Sequence, residues 1–216
     1  SHAELVALAD RHLSGLPSGA IDEPQSARFT GGDRVGRASS DQAHLALGFA
    51  APAQLDSDFY AARLFADAIG GGASSRLFQR LREERGLAYS VYASLMPWRE
   101  VGLLAIYAAT ARRQSAAAAK LIEEIIAESA HDVTQREVDR VRTQAKAGLL
   151  MSLETSWGQA GYVARMLSLY GRLVEPSEVI ADLDAVTLDQ VRAAGAKMLS
   201  GPRARATIGV PAARAA

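Results

Sequence analysis

Cysteine is absent from the 216 residues of this chain. The chain therefore has no disulfide framework and no thiolate that could act as a nucleophile or bind a metal. Excess charge is absent too, because 24 lysines and arginines balance 24 aspartates and glutamates. Domains that bind nucleic acid or anionic membranes are usually basic. We therefore expect no nucleic-acid partner and no membrane partner.

The sequence also lacks a long hydrophobic run, and none approaches the ~20 apolar residues that span a bilayer. Hydrophobic residues nevertheless make up 49% of the chain, enough for the core of one large domain. The chain begins with Ser1 and His2 and not with a methionine, as expected for a piece of a longer protein with a cloning remnant. The cellular compartment is left open.

Hydrophobic periodicity predicts an alternation of helices and strands. Residues 3–13 have helical spacing and precede a loop rich in glycine, proline and serine, from Ser14 to about Gln25. Strand patterns cover 43–49, 87–95, 101–110 and 204–210, and helical patterns cover 59–69 and 115–129.

Two capping boxes, Thr134–Glu137 and Thr187–Gln190, predict the starts of two further helices. Strands in pairs that alternate with helix pairs indicate an α+β fold, an antiparallel sheet with helices packed on one face.

The segment from Gly70 to Tyr92 carries the clearest functional pattern. It consists of a glycine turn, a short charged helix, a second break at Gly86 and a strand. Arg82 is expected in the last turn of the helix and Tyr89 at the start of the strand. Both side chains can donate hydrogen bonds to a polarised carbonyl or an oxyanion. Spacing alone also fits a solvated charge run and an ordinary strand aromatic.

This segment closely resembles the C-terminal half of the pitrilysin-type zinc metallopeptidases, the inverted zincins that include the mitochondrial processing peptidases. In that family a glycine-rich turn followed by S-R-L-F-x-x-L-R-x-x-x-G-L-x-Y-x-V supplies an arginine and a tyrosine to a site in the other half. Residues 144–154 and 170–172 also resemble the family. The resemblance extends from about Leu5 to about Val210.

The resemblance implies a protein of two similar α+β halves that close as a clamshell around peptides or presequences. Residues 1–25 would be the tail of the preceding N-terminal domain and its linker, and residues 26–216 the C-terminal peptidase-type domain. The partners would be a zinc-bearing N-terminal domain or subunit and a peptide substrate. The surface that faces the other half could also let isolated copies of the chain self-associate.

The same resemblance assigns roles to individual residues. Tyr89 would stabilise the oxyanion, and Arg82 would bind a backbone carbonyl of the substrate. Gly71, Gly72 and Ser74 would belong to the substrate-binding surface, in a turn that we expect to have positive φ and a serine N-cap.

Zinc is expected only in the absent half. A zinc site of this family needs H-x-x-E-H, with two histidines one helical turn apart and a glutamate as general base. None of the four histidines, His2, His12, His44 and His131, lies four residues from another. We therefore predict no metal ligand in this chain, and no activity for this fragment alone.

Two alternatives remain open. The chain could be a non-catalytic partner or scaffold subunit of a heteromeric processing peptidase. It could also be an anion-binding module that uses the loop 70–76. The loop fails the dinucleotide pattern, because Ser75 occupies the third glycine position, and no Gly-Lys-Ser/Thr follows for a P-loop.

Overall fold

The computed structural model describes residues 1–17, 27–37 and 39–210. Its seven α-helices are α1 (His2–Leu13), α2 (Phe59–Gly70), α3 (Ser115–Asp132), α4 (Gln135–Ser152), α5 (Ser156–Tyr170), α6 (Pro176–Ala185) and α7 (Leu188–Ser200). Its five strands are β1 (Gly32–Gly36), β2 (Gln42–Ala51), β3 (Ser90–Pro97), β4 (Gly102–Ala111) and β5 (Arg203–Ile208). A π-helix (Phe78–Glu83) and a 3₁₀ turn (Arg112–Gln114) complete the described elements.

The five strands form one sheet in the order β1-β5-β2-β4-β3. Three of the four pairings are antiparallel, and the predicted α+β class is confirmed. The pairing of β1 with β5 is parallel, so the expectation of a wholly antiparallel sheet is wrong at this edge. Strand β1 was not predicted, because the five residues Gly-Asp-Arg-Val-Gly carry little hydrophobic signal. Strand β3 forms the opposite edge.

The core lies between one face of the sheet and helices α2, α3 and α7. In β2 the alternating residues Ala43, Leu45, Leu47 and Phe49 are buried, which confirms the predicted strand periodicity. Helix α2 is the most enclosed element, with nine of its twelve residues buried. Because α2 is buried on most sides, it packs against both strand β3 and helix α7.

Two glycines allow the close packing around α2. A Cβ atom at Gly70 would collide with the backbone of Ala93 on β3, and one at Gly195 on α7 would collide with the ring of Phe65. Either side chain would force apart elements that the core holds in contact. The end of α2 and the start of the next segment are therefore fixed tightly against the edge strand.

Both predicted capping boxes are present. Thr134 and Thr187 each accept a hydrogen bond from the backbone of the residue three positions on, and Glu137 and Gln190 each bond back to the cap. Helix α5 is largely exposed. Leu167 is about half exposed, and Met166 is the one buried residue of the helix. Helical spacing identifies a helix without showing how many of its faces are covered.

The strand boundaries differ from the predicted ones near Gly86. Strand β3 begins at Ser90 and not at residue 87, because the amide of Leu87 still donates to the carbonyl of Leu81, at 2.9 Å. At the N-terminal end, helix α1 has no buried residue. Of the predicted linker from Ser14 to Gln25, residues 18–25 lie outside the described part. Within the described residues, no helix combines the length and apolarity needed to cross a bilayer.

Candidate functional site

The loop between α2 and the π-helix contains the predicted substrate-binding residues Gly71, Gly72 and Ser74. The prediction of positive φ is wrong, since Gly71 has φ −80° and neither neighbour has positive φ. Gly71 is required instead for close packing, because a Cβ there would lie 2.7 Å from the Cα of Asp67. The prediction of a serine N-cap is also wrong. An N-cap hydroxyl accepts a hydrogen bond from a backbone amide, but the buried hydroxyl of Ser75 has no partner among the described residues.

This loop uses its carbonyl groups to hold cationic and amide side chains. The Ser74 carbonyl accepts from Arg140, at 2.5 Å, and the Ala73 carbonyl accepts from Gln79, at 2.7 Å. An anion cradle would need backbone amides to point outward. The observed bonds instead fasten the loop to α4 and to the π-helix.

Arg76 anchors the same segment to the neighbouring helices. Its Nε and Nη2 donate to the two carboxylate oxygens of Glu137, at 2.6 and 2.8 Å. It also binds the carboxylate of Asp132, and donates to the carbonyl of Asp132 at 2.9 Å. Burial alone would raise the pKa of Glu137, but hydrogen bonds from Arg76 and Thr134 lower it to about 2. Arg76 therefore ties the segment to α3 and α4.

Arg82 lies in the π-helix, and the prediction that it is helical is confirmed. Its guanidinium stands over the ring of Phe78, 4.7 Å from the centroid, and its Nε is 3.9 Å from the carboxylate of Glu83. The side chain is 44% exposed. Within the described residues the guanidinium donates no hydrogen bond, so its five N–H groups remain available for a ligand.

Tyr89 is placed just before β3. Its amide donates to the carbonyl of Ala109 on β4, at 2.8 Å, so its backbone already follows the sheet. The residue is 58% exposed, and its hydroxyl has no hydrogen-bond partner in the described part of the chain. The phenol is thus presented to solvent from a backbone position that the sheet holds in place.

The break between Arg82 and Tyr89 is itself well fixed. Gly86 has φ +59°, a conformation that glycine adopts without strain, and its amide donates to the carbonyl of Arg82 at 3.0 Å. The buried hydroxyl of Thr110 donates to the carbonyl of Leu87, at 2.6 Å. The sequence identified Gly86 but missed Arg76 and Thr110, because their partners are more than twenty residues away along the chain.

The described residues do not fit a zinc site. In the described ranges, no group of three or more histidine, cysteine, aspartate or glutamate side chains is arranged to hold a metal ion. His44 instead contacts the hydroxyl of Tyr107 through its Nδ1, at 2.7 Å. No catalytic step through a metal is therefore assigned to these residues.

Comparison with known proteins identifies the family of this chain. A family model described as the peptidase M16 inactive domain matches residues 1–145. The chain belongs to the M16 peptidase family. The resemblance to pitrilysin-type peptidases is thereby confirmed, and the chain is an M16 domain of the inactive, C-terminal type.

Relatives of this M16 domain include two proteins called uncharacterized zinc proteases. One, from Mycobacterium leprae, is 33% identical over 215 residues, which cover 96% of this chain and 48% of the relative. The other, from Rickettsia bellii, is 30% identical over 209 residues, covering 96% of this chain and 51% of the relative. The M16 domain thus spans about half the length of the relatives that it matches.

Solved structures have the same fold. A peptidase M16 inactive domain from Pseudomonas fluorescens superposes with a TM-score of 0.81 at 25% identity, covering 100% of this chain and 52% of the other. A protease from Helicobacter pylori gives a TM-score of 0.82 at 19% identity, covering 96% of this chain and 52% of the other. At that identity the second comparison supports the fold alone.

Proposed function

We propose that this M16 domain is the non-zinc half of a zinc metalloendopeptidase, to which it supplies Arg82 and Tyr89. The observation that carries the proposal is the contrast between backbone and side chain in these two residues. The Arg82 carbonyl accepts from the amide of Gly86, and the Tyr89 amide donates to the carbonyl of Ala109 on β4. Both side chains are exposed, and their donors make no hydrogen bond among the described residues.

The proposed role of Tyr89 follows from the chemistry of peptide hydrolysis. As a nucleophile adds to a peptide carbonyl, negative charge develops on the carbonyl oxygen. A donor that is already positioned stabilises this charge without reorganising at the moment of reaction. The Tyr89 hydroxyl would donate to that oxygen, and its backbone bond to Ala109 would keep it in place.

Arg82 would act on the substrate backbone beside the scissile bond. Its guanidinium can donate two parallel hydrogen bonds to carbonyl oxygens, and the ring of Phe78 supports it from below. Gly71, Gly72 and Ser74 would belong to the wall that faces the substrate.

The reaction would also need a partner that bears zinc, an activated water and its base. We propose an N-terminal domain or a separate subunit for this role, since the M16 domain spans about half of relatives that are called zinc proteases. Residues 1–25 would be the end of that preceding domain and its linker, which agrees with the absence of buried residues in α1.

The test is Tyr89→Phe in the full-length protein, assayed on an unstructured peptide. Removing one oxyanion donor typically lowers turnover by ~10²–10³. We expect a loss of that size, with the far-UV circular dichroism and the zinc content unchanged. Tyr92→Phe is the matched control, because Tyr92 is a half-exposed tyrosine three residues further along the same segment.

Three outcomes would contradict the proposal. Wild-type turnover by the Tyr89→Phe variant would remove the catalytic role of the phenol. An equal loss in Tyr92→Phe would indicate a general disturbance of β3. A full-length wild-type protein that cleaves no peptide would favour a non-catalytic partner or scaffold subunit.

A further inference from the structure

Two adjoining cavities lie away from Arg82 and Tyr89, at the far end of β3. The larger, about 470 Å³, is lined mainly by residues of α2, α4, α5 and α6. The smaller, about 260 Å³, is lined by α2, by Arg165 of α5 and by Ser94, Leu95 and Pro97 of β3. Phe59, Arg63 and Arg165 line both cavities, so these three residues mark where the two spaces meet. The larger volume falls in the range of small-ligand sites.

The charges around this junction are unbalanced. Arg63 and Arg165 line the larger cavity, and no carboxylate is among its lining residues. Asp67 lines the smaller one and lies 3.8 Å from the Nε of Arg63. Burial raises the pKa of Asp67, with Arg63 opposing the shift, and this single carboxylate faces two arginines.

The guanidinium of Arg165 is also incompletely used. Within the described residues it makes one side-chain hydrogen bond, from Nη2 to the Oε1 of Gln54 at 2.9 Å. A guanidinium has five N–H donors in a planar fork that matches the two oxygens of a carboxylate. The junction therefore offers more donors than the described chain satisfies.

Tyrosines complete the lining of the larger cavity. Burial raises the pKa of Tyr60 to about 12, so its phenol remains a hydrogen-bond donor at neutral pH. The hydroxyl of Tyr162 donates to the carbonyl of Val174, at 2.8 Å, so Tyr162 contributes mainly its ring to the cavity. Such a wall suits an apolar side chain that accompanies an anionic group.

The cavities are within reach of a peptide bound at Tyr89. Leu95 lies six residues after Tyr89 on the same edge strand, a distance of ~20 Å at ~3.3 Å per residue. Ser94 and Leu95 project to opposite faces of β3, yet both line the smaller cavity, which therefore opens along the edge of the strand. One extended segment of substrate could span both places.

We propose that Arg63 and Arg165 form a carboxylate-binding subsite for the peptide substrate of this M16 domain. The inference rests on the proposed peptidase function and adds a chemical preference to it. The carboxylate is either an acidic side chain or the C-terminal group of the peptide. Both sources present the same pair of oxygens to the two guanidinium groups.

The test measures peptide binding and not turnover. Fluorescence anisotropy of full-length protein, wild type and Tyr89→Phe, is followed with three labelled peptides of one sequence. The first has glutamine and an amidated C-terminus, the second has glutamate and an amidated C-terminus, and the third has glutamine and a free C-terminus. We expect at least one of the two carboxylate peptides to bind about tenfold more tightly than the neutral peptide. The peptide that gains affinity identifies the source of the carboxylate.

Arg165→Gln should abolish this preference, so that the carboxylate peptides bind the variant no more tightly than the neutral peptide does. Arg136→Gln, at an exposed position near the start of α4, is the matched control and should retain the preference. The comparison of peptides on the wild-type protein remains decisive if Arg165→Gln fails to fold.

Equal affinity of the wild-type protein for all three peptides would overturn the inference. So would an equal preference in the Arg165→Gln variant, or displacement by inorganic phosphate more effective than by acetate, which would indicate a phosphate site. The proposed function fails separately, because its readout is the turnover of Tyr89→Phe. A carboxylate preference without loss of turnover in that variant would refute the catalytic role alone.

Discussion

Arg76 and Arg82 lie six residues apart in one segment, and the structure uses them in opposite ways. The side chain of Arg76 is 14% exposed and bonds to Glu137, Asp132 and the backbone of α3. The side chain of Arg82 is 44% exposed and has a ring beneath it and one carboxylate at 3.9 Å. The first arginine fastens the segment to the helices, and the second is left with donors for something outside the described chain.

The contrast shows how one segment can be held firmly in the fold and still present a cationic group at its surface. Exposed arginines lose little by lacking a partner, whereas a partly buried one must be bonded. Arg76 thus holds the segment rigidly against the helices, while Arg82 keeps its donors available at the surface. Four changes test this division, beginning with the one of largest expected effect.

Arg76→Gln should destabilise the domain strongly. The substitution leaves Glu137 without its main partner, and breaking this partly buried ion pair on one side should cost about 2–3 kcal/mol, somewhat less than for a fully buried pair. Urea unfolding of the purified protein measures this loss. Arg136→Gln, at an exposed site, should change the free energy of unfolding by less than about 0.5 kcal/mol. A similarly small effect for Arg76→Gln would remove its structural role.

Arg82→Gln should do the reverse. The free energy of unfolding should stay within about 0.5 kcal/mol of wild type, because the lost contacts are exposed. In the full-length protein, kcat/KM for a peptide should fall about 10- to 100-fold, as expected for a lost charged hydrogen bond. Peptide hydrolysis and urea unfolding on the same samples decide the matter. Loss of stability with unchanged kcat/KM would assign Arg82 to the fold.

The Arg76 network should also respond to acid. The pKa of Glu137 is about 2 in the folded state and about 4.5 in the unfolded state. The ionised carboxylate therefore contributes its full stabilisation of the fold above pH 4.5. That contribution is lost as the pH falls from about 4.5 towards 2. Glu137→Gln should therefore flatten the dependence of unfolding free energy on pH in this window. Glu154→Gln, at an exposed position, should leave the slope as it is.

The smallest effect concerns the break between Arg82 and Tyr89. Gly86→Ala places a side chain at φ +59° with no neighbour within 4 Å, so backbone strain is its main cost, about 1–2 kcal/mol. Gly72→Ala, also in open space but without positive φ, should cost nothing measurable. Thermal unfolding of the two variants compares them directly. Equal stability of the two variants would mean that alanine adopts the positive φ at position 86 without strain, so the break before Tyr89 does not require glycine.

Local signals explain most of what was predictable from the sequence. Both threonine caps, the alternating face of β2 and the break at Gly86 depend on neighbours within a few residues, and each was predicted correctly. The functional candidates Arg82 and Tyr89 came from a motif of the family. Their exposure could not be read from spacing, since the same spacing also fits packed or solvated residues.

Long-range contacts account for the failures. The parallel pairing of β1 joins residues about 170 positions apart, and nothing in either strand specifies its direction. The turn at Gly71 was assigned positive φ, although the glycine is needed because Asp67 lies close to it. Arg63 and Arg165 carried no local pattern at all, because only the tertiary fold brings α2 and α5 to the walls of one cavity.

Tryptophan placement has a practical consequence for anyone who handles this domain. The chain has two tryptophans, and Trp157, at the start of α5, is 89% exposed while Trp98 is half exposed. The indole of Trp157 is already in water in the folded chain, whereas that of Trp98 is half covered, so the emission of Trp157 will change little when the domain unfolds. The emission of Trp157 should shift to shorter wavelength when another protein surface covers α5. The emission of Trp157 is thus a poor probe of unfolding and a sensitive probe of a protein surface that binds over α5.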